Sequence, residues 1–288
     1  MTASEFRYVV CDVFTDTPLA GNAVAVFTNA QEIPERSLQQ LARELNLSET
    51  VFVYPPAEVG QVRVRIFTPT AELAFAGHPV LGAAFVLALP MQLTEIVLET
   101  GAGPVPVVLE REGSRISFGW MAQPNPTVEP FPDVPALLGA LGVDEAVLPV
   151  ELYDNGITHV FVALPSAADV ERVQPDFRAL AELPHVGTSC FHADGTEVVT
   201  RMFAPGFGVN EDPATGSAAG PLGCHLVRHG RITSGAEIVV SQGAAVGRPS
   251  RLHVRATLDD GKIAAVEVGG SAVIVARGEF RLRPPVDA

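Results

Sequence analysis

The chain has 288 residues, of which 47% are hydrophobic and only 18% are charged, so packed cores are expected and long disordered segments are not. Its formal net charge is −14 without any run of Lys or Arg, which argues against nucleic acid or an anionic membrane as a partner. A small anionic substrate is still permitted, because local backbone dipoles act more strongly on it than the distant net charge.

The cysteines and the N-terminus indicate where the chain works. Cys11, Cys190 and Cys224 are odd in number, widely spaced and outside any CxxC pair, which favours a reducing compartment over disulfides or a zinc site. No signal peptide is evident at the N-terminus. The most apolar run, residues 80–91, is too short to span a bilayer. We therefore expect a cytoplasmic protein that does not enter membranes.

The first half of the chain alternates strands with two helices. Hydrophobic periodicity predicts an amphipathic helix over residues 37–45 and a helix over residues 79–89 that is apolar on every side and therefore buried. Strands are predicted at residues 8–14, 23–27, 51–54, 62–68, 96–100, 105–110 and 115–120.

A proline-rich stretch at residues 122–133 is the predicted domain boundary. After it the same order recurs, with helices predicted at residues 136–141, 178–183 and 217–229 and extended segments near Glu151 and at 159–164, 186–192, 197–203, 238–241, 251–256, 263–269 and 272–278. We predict an N-terminal half of residues 1–121 plus roughly 275–288, and a C-terminal half of residues 122–274.

An internal repeat supports this division. Residues 65–82 and 201–220 each predict a strand, a turn, a loop and a helix that begins with glycine, at Gly77-His78 and at Gly216-Ser217. If the two halves face each other, both helix N-termini point into one cleft. Backbone N–H groups at such termini bind anions, so Gly77, Gly216 and Ser217 are predicted to hold a substrate carboxylate.

Five motifs resemble the PhzF, or phenazine-biosynthesis-like, family. They are Gly21-Asn-Ala-Val-Ala-Val-Phe27, Leu45-Asn-Leu-Ser-Glu-Thr50, Arg65-Ile-Phe-Thr-Pro69, Phe75-Ala-Gly-His-Pro79 and Glu211-Asp-Pro-Ala-Thr-Gly-Ser-Ala218. The similarity extends over nearly the whole chain. It implies a diaminopimelate-epimerase-like α+β fold, in which two pseudo-symmetric halves each wrap a mostly antiparallel, barrel-like sheet around a central helix. It also implies a homodimer and an isomerase that uses no cofactor and no metal.

The resemblance further implies a reaction and its residues. The phenazine enzyme converts trans-2,3-dihydro-3-hydroxyanthranilate to a cyclohexenone amino acid by moving a proton between ring carbons. Its proton-shuttling carboxylate corresponds to Glu49, its histidine to His78, and its aspartate and serine to Asp212 and Ser217. Two alternatives remain: an isomerase or epimerase of another small cyclic amino acid in natural-product metabolism, and a binding protein without turnover.

Each of the three candidate catalytic residues also has an ordinary interpretation. Glu49 follows a predicted helix and is either a solvated loop carboxylate or a base whose pKa is raised by apolar neighbours. His78 either caps the buried helix or donates to the substrate. Asp212 precedes proline, as turn residues often do, and otherwise binds the substrate amine or orients His78.

Other polar residues receive structural interpretations. Arg65 and Arg201, at matching positions of the repeat, are expected to form ion pairs. Asn155 is expected in a turn, and His159 reaches the cleft only as the less favoured alternative. The three cysteines are expected to be buried apolar residues. We interpret the remaining histidines as scattered along the sequence, without the spacing of metal ligands: His185, His192, His225, His229 and His253.

Overall fold

The computed structural model describes residues 4–184 and 186–282, which form an α+β structure. In the N-terminal part the strands are β1 (Ser4–Val13), β2 (Asn22–Phe27), β3 (Glu49–Tyr54), β4 (Val62–Phe67), β5 (Glu72–Leu73), β6 (Glu95–Thr100), β7 (Gly103–Glu112) and β8 (Arg115–Ala122). The helices of this part are α1 (Glu35–Leu45) and α2 (Gly77–Met91).

The C-terminal part repeats this arrangement with additional short helices. Its strands are β9 (Thr127–Pro130), β10 (Glu151–Asp154), β11 (Thr158–Ala163), β12 (Gly187–Asp194), β13 (Glu197–Ala204), β14 (Val209–Asp212), β15 (Glu237–Gln242), β16 (Ser250–Asp259), β17 (Lys262–Gly270) and β18 (Ala272–Leu282). Its helices are α3 (Val134–Leu141), α4 (Ala167–Arg172), α5 (Phe177–Glu182) and α6 (Gly216–Arg228).

The strand pairings of the two parts correspond one to one. The sequence of neighbours β1–β2–β3–β4–β6–β7–β8 is matched by β10–β11–β12–β13–β15–β16–β17, with parallel pairs at β2–β3 and β4–β6 and again at β11–β12 and β13–β15. The other pairings in the two series are antiparallel. The internal repeat of the sequence is therefore a repeat of the three-dimensional structure.

The two parts are joined by exchanged strands and a shared seam. Strand β9 pairs with β10, and the last described strand, β18, returns to pair with β1 along its whole length. Strands β8 and β17 pair antiparallel where the sheets of the two parts meet, so the described strands form one continuous 18-stranded sheet. These pairings support the predicted division, with the return to the first half near residue 275. The division itself stays a prediction, and its residues 1–3 and 283–288 lie outside the described residues.

Helices α2 and α6 lie at the centres of the two sheets. Every residue from Gly77 to Val86 is buried, and so is every residue from Gly216 to Leu226. Helices of this composition have no polar face to present to water, so each is enclosed by the inward side chains of its surrounding strands. In the described residues, no helix is both long enough and apolar enough to cross a membrane.

The main elements agree with the sequence prediction, and the short ones do not. Strand β9 lies inside the stretch predicted as a proline-rich boundary, where Pro130 ends the strand and so breaks few ladder hydrogen bonds. Helix α4, which Ser166 caps, and strand β14 were not predicted. These elements have four to six residues, too few for a periodic pattern to emerge.

Candidate active site

The starts of α2 and α6 meet backbone to backbone. A Cβ atom built on Gly77 would lie 2.6 Å from the carbonyl carbon of Gly216 and 2.6 Å from the nitrogen of Ser217. Only glycine permits this approach, which gives a physical reason for the Gly-led helix starts of both repeats. The two N-termini therefore converge on one cavity between the halves, as the repeat predicted.

All six residues predicted for the site line this cavity. They are Glu49, Gly77, His78, Asp212, Gly216 and Ser217. The structure thus brings together residues that are separated by up to 168 positions in the chain of 288. The roles assigned to them remain predictions.

Neither helix start is capped by a side chain. The capping positions are Ala76 for α2 and Thr215 for α6, and neither side chain accepts a hydrogen bond from the first turn. Thr215 instead donates its hydroxyl to Asp212, at 2.6 Å. Helix N-termini carry backbone N–H groups and a partial positive charge, so two uncapped starts facing one cavity suit an anionic ligand.

Glu49 and His78 face each other within the cavity. Glu49 is the first residue of β3, and its side chain is 15% exposed. Its Oε2 atom lies 3.2 Å from Nε2 of His78, whose side chain is 4% exposed. Neither atom makes a well-aligned hydrogen bond to any described residue. Two buried polar atoms in this condition are available to a ligand.

The carboxylate of Asp212, unlike Oε2 of Glu49, accepts several hydrogen bonds. The hydroxyl of Thr215, the amide of Asn22 and the hydroxyl of Ser48 all donate to its carboxylate, at 2.6, 2.9 and 3.3 Å. Asn22 also lies 3.3 Å from Nδ1 of His78, so it joins the two candidate catalytic residues across the halves. Three donors stabilise the anionic form of Asp212.

These environments decide where the charge resides. Burial raises the pKa of Glu49 well above its ordinary value, and the negative charge of Asp212 raises it further. Burial also raises the pKa of Asp212, but its three donors oppose that shift. Burial lowers the pKa of His78 to about 3, so its imidazole is neutral. We infer that Glu49 carries a proton in the free protein and that Asp212 is the anion.

The structure also places His159 at the cavity, with Asn155 behind it against the start of α6. Nε2 of His159, on β11, lies 3.2 Å from Oγ of Ser217. Asn155 donates to the backbone carbonyl of Ser217 at 2.9 Å, and Gln123 donates to that of Gly216 at 2.8 Å. Asn155 lies in the turn between β10 and β11, as predicted, and additionally bonds the backbone of Ser217, whereas the preference for His159 outside the cleft is wrong. One signal was present, because a histidine in an otherwise apolar strand needs a polar partner.

The structural interpretations of the arginines and cysteines are confirmed. Arg65 pairs with Glu35 and Glu72, and Arg201 pairs with Glu211. The cysteines are buried, and burial raises the pKa of each thiol to about 12, so none is a ready nucleophile.

The description of the histidines as scattered is wrong for two of them. His225 lies on the last turn of α6 and His229 directly follows the helix, four residues later, and both approach Glu151. His192 contacts the carbonyl of Leu164, and His253 pairs with Glu237. His185 lies outside the described residues.

Comparison with known proteins identifies the family. The family model described as phenazine biosynthesis-like protein matches residues 11–278. A Pseudomonas aeruginosa protein named trans-2,3-dihydro-3-hydroxyanthranilate isomerase is 46% identical over 276 residues, which cover 96% of this chain and 99% of that relative. A Pseudomonas chlororaphis protein of the same name is 44% identical over equal shares. The chain belongs to the phenazine biosynthesis-like family.

Solved structures confirm the predicted fold class. A PhzF-family phenazine biosynthesis protein from Bacillus anthracis superposes with a TM-score of 0.84 at 26% identity, covering 97% of this chain and 100% of that one. A hydroxyproline epimerase from Agrobacterium vitis shares the fold at a TM-score of 0.70 and only 13% identity, covering 99% of this chain and 95% of that one.

Proposed function

We propose that this protein is an isomerase that converts trans-2,3-dihydro-3-hydroxyanthranilate to a cyclohexenone amino acid by carbon-to-carbon proton transfer. The observation that carries the proposal is the carboxyl of Glu49, whose buried Oε2 has no aligned hydrogen-bond donor among the described residues, 3.2 Å from Nε2 of His78 in a cavity built from two helix N-termini. Relatives of that name, at 43–46% identity over nearly the whole chain, support the choice of substrate.

The chemistry needs one group that both removes and returns a proton. The hydrogen of the hydroxyl-bearing ring carbon leaves as a proton while a second ring carbon gains one, which gives an enol. The enol then loses its hydroxyl proton and gains a proton at a third ring carbon, so that the hydroxyl-bearing carbon becomes the carbonyl carbon. No atom is added or lost overall. A carboxyl whose pKa is raised by burial suits this task, since it is a stronger base than an ordinary carboxylate and can still return the proton.

The charges of the substrate match those of the cavity. Its carboxylate would bind the backbone N–H groups at Gly77 and at Gly216-Ser217, where both helix dipoles favour an anion. Its ammonium would lie near Asp212. A cation beside both carboxyls favours their ionised forms, so substrate binding would lower the pKa of Glu49 and free it to act as the base. Neutral His78 would hydrogen-bond the substrate hydroxyl.

Turnover of the named substrate tests the proposal. Purified protein is mixed with trans-2,3-dihydro-3-hydroxyanthranilate, and the conjugated diene is followed by ultraviolet absorbance and proton NMR. Loss of the diene with appearance of the cyclohexenone is the expected result. A folded protein that leaves this compound unchanged but converts other small cyclic amino acids would establish the second candidate instead. Binding without any turnover would make it a binding protein.

We also propose that the protein acts in the cytoplasm as a homodimer. The absence of paired cysteines in the sequence supports a reducing compartment. The resemblance to a dimeric family supports the assembly, and light scattering of the purified protein at several concentrations tests it.

A further inference from the structure

A second polar cluster lies at the opposite end of α6 from the cavity. It consists of Glu151 on β10 and of His225 and His229, whose four-residue spacing places them on one face of the helix. One potential ligand atom from each of the three side chains lies within 4.8 Å of the others. With a rise of about 1.5 Å per residue, His229 is roughly 18 Å along the helix from Ser217. The cluster is therefore separate from the candidate active site.

The distances suit a shared cation. Oε2 of Glu151 lies 2.8 Å from Nε2 of His229 and 3.5 Å from Nδ1 of His225. In a tetrahedral zinc site with bonds of about 2.0–2.2 Å, neighbouring ligand atoms are separated by roughly 3.3 Å. The observed separations lie on either side of this value, so small side-chain rotations would complete the geometry.

Two further groups, Arg228 and Tyr153, approach the carboxylate of Glu151. Arg228 approaches Oε1 of Glu151 at 3.6 Å, and Oε2 is the oxygen that both histidines approach. The hydroxyl of Tyr153 lies 2.9 Å from Oε2 and 3.2 Å from Nδ1 of His225, on a further side of the same space. The cluster also lies at the C-terminal end of α6, where the helix dipole favours a positive charge.

His225 provides an independent reason to expect a ligand. Its side chain is fully buried among the rings of Tyr153, Phe161 and Phe191. Its Nε2 atom has no hydrogen-bond partner in the described part of the chain, so the ring makes its polar contacts through Nδ1 alone. With its proton on Nε2, the neutral imidazole presents the lone pair of Nδ1 to Glu151. That lone pair is a metal-binding group, and the surrounding aromatic rings hold it in place.

We propose that Glu151, His225 and His229 form a binding site for a divalent first-row transition-metal ion. Two imidazoles and one carboxylate are the donors that zinc prefers, and they are too few in oxygen for calcium or magnesium. The ion would be held by Oε2 of Glu151, Nδ1 of His225 and Nε2 of His229, with the imidazole protons on the opposite ring nitrogens. Its role is structural, since it fastens the end of the central helix α6 to strand β10.

Metal titration of the full-length protein tests the site. Protein stripped with a chelator is titrated with Zn²⁺ by calorimetry and with Co²⁺ by visible absorption, in which tetrahedral coordination gives intense bands. We expect one equivalent of either metal to bind and saturating Zn²⁺ to raise the melting temperature by roughly 5 °C. Absence of stoichiometric binding by the wild-type protein would overturn the proposal.

Substitutions distinguish this cluster from surface histidines. Glu151→Gln and His229→Gln should each weaken binding by more than about 100-fold, because even the loss of an outer-shell group costs 10–100-fold. His253→Gln is the matched control: His253 pairs with Glu237 at the same 2.8 Å but has no second histidine in the pair. The His253→Gln variant should bind one equivalent of metal ion, as the wild type does. Unchanged binding by His229→Gln, or equal loss in His253→Gln, would contradict the assignment. Circular dichroism of the stripped variants confirms that each is folded.

Discussion

Glu49 and Asp212 show how two carboxyls in one cavity acquire different charges. Asp212 accepts hydrogen bonds from Thr215, Asn22 and Ser48, whereas Oε2 of Glu49 has no aligned donor among the described residues. Burial raises the pKa of both groups, and the donors counteract it only at Asp212. We therefore infer that Asp212 is the more acidic of the two carboxyls and that Glu49 is the one that holds an exchangeable proton.

Removal of the Asp212 charge should change the pH dependence of catalysis. The negative charge of Asp212 raises the pKa of Glu49, so Asp212→Asn should lower that pKa. If Glu49 must lose its proton to act as the base, activity falls as the pH drops through this pKa. The acid limb of the kcat/KM profile should therefore move to lower pH. The maximum should fall by about 10–100-fold, because a hydrogen bond to a charged group is lost.

The control for this prediction is Asp144→Asn, at an exposed position. Its profile should coincide with that of the wild type. An acid limb of Asp212→Asn at the wild-type position or at higher pH would contradict the proposed coupling of the two carboxyls.

At the residue level, the sequence predicts which residues form the site better than it predicts the contacts that they make. The resemblance placed Glu49, His78 and Asp212, and the structure brings these three together. The sequence analysis did not favour a contact of His159 with Ser217. The cleft is formed by two distant segments, and the sequence of one strand does not show which of its sides faces such a cleft. Periodicity describes a single element, and this contact depends on two.

The central helices α2 and α6 are the elements that position the cavity. Each begins with glycine, and the two starts touch at Gly77 and Gly216. Because each start supplies its N–H groups to the same space, the separation of the helices sets the width of the anion-binding end of the cavity.

A methyl group at this contact should push the helices apart. Gly77→Ala would place a Cβ atom 2.6 Å from backbone atoms of Gly216 and Ser217, and backbone cannot move as a side chain can. We expect a loss of about 1–3 kcal/mol in the free energy of unfolding, measured by urea denaturation, together with weaker substrate binding.

Gly139→Ala is the matched control for the helix contact. Gly139 is exposed on α3, and no atom lies within 4 Å of the position of an added Cβ. Alanine there should stabilise the helix by about 0.5–1 kcal/mol. Equal stability of Gly77→Ala and the wild type would show that the two helix starts are not in the contact described.

Element length explains what the sequence could and could not predict at this scale. Helices α2 and α6 have 15 and 13 residues of nearly continuous apolar or small composition, which is a strong signal for burial. Strand β9 forms because β10 lies beside it, and the prolines around it conceal that pairing from any local pattern.

At the scale of the molecule, the two halves are similar but not independent. Strand β18 returns from the second half to pair with β1, and β8 pairs with β17 at the seam. The internal repeat predicted two halves, whereas these exchanged strands are long-range pairings that no repeat specifies. The first half thus depends on β18, which comes at the end of the second half, and strand β10 of the second half pairs with β9, which directly follows the first half.

This exchange predicts that the halves unfold together. Differential scanning calorimetry should give one transition whose calorimetric and van't Hoff enthalpies agree. Two resolved transitions, or a calorimetric enthalpy about twice the van't Hoff value, would show that the halves are separate folding units.

In the proposed reaction, Glu49 carries the proton between two carbons of the substrate. The most direct test compares wild type, Glu49→Gln and Glu44→Gln with trans-2,3-dihydro-3-hydroxyanthranilate in deuterated buffer by NMR, with substrate binding measured by calorimetry. Glu44 is exposed on α1, five residues from Glu49. We expect Glu44→Gln to match the wild type, and Glu49→Gln to bind the substrate but lose turnover by at least about 10²–10⁴-fold. Turnover by Glu49→Gln at the wild-type rate would show that Glu49 does not carry the proton.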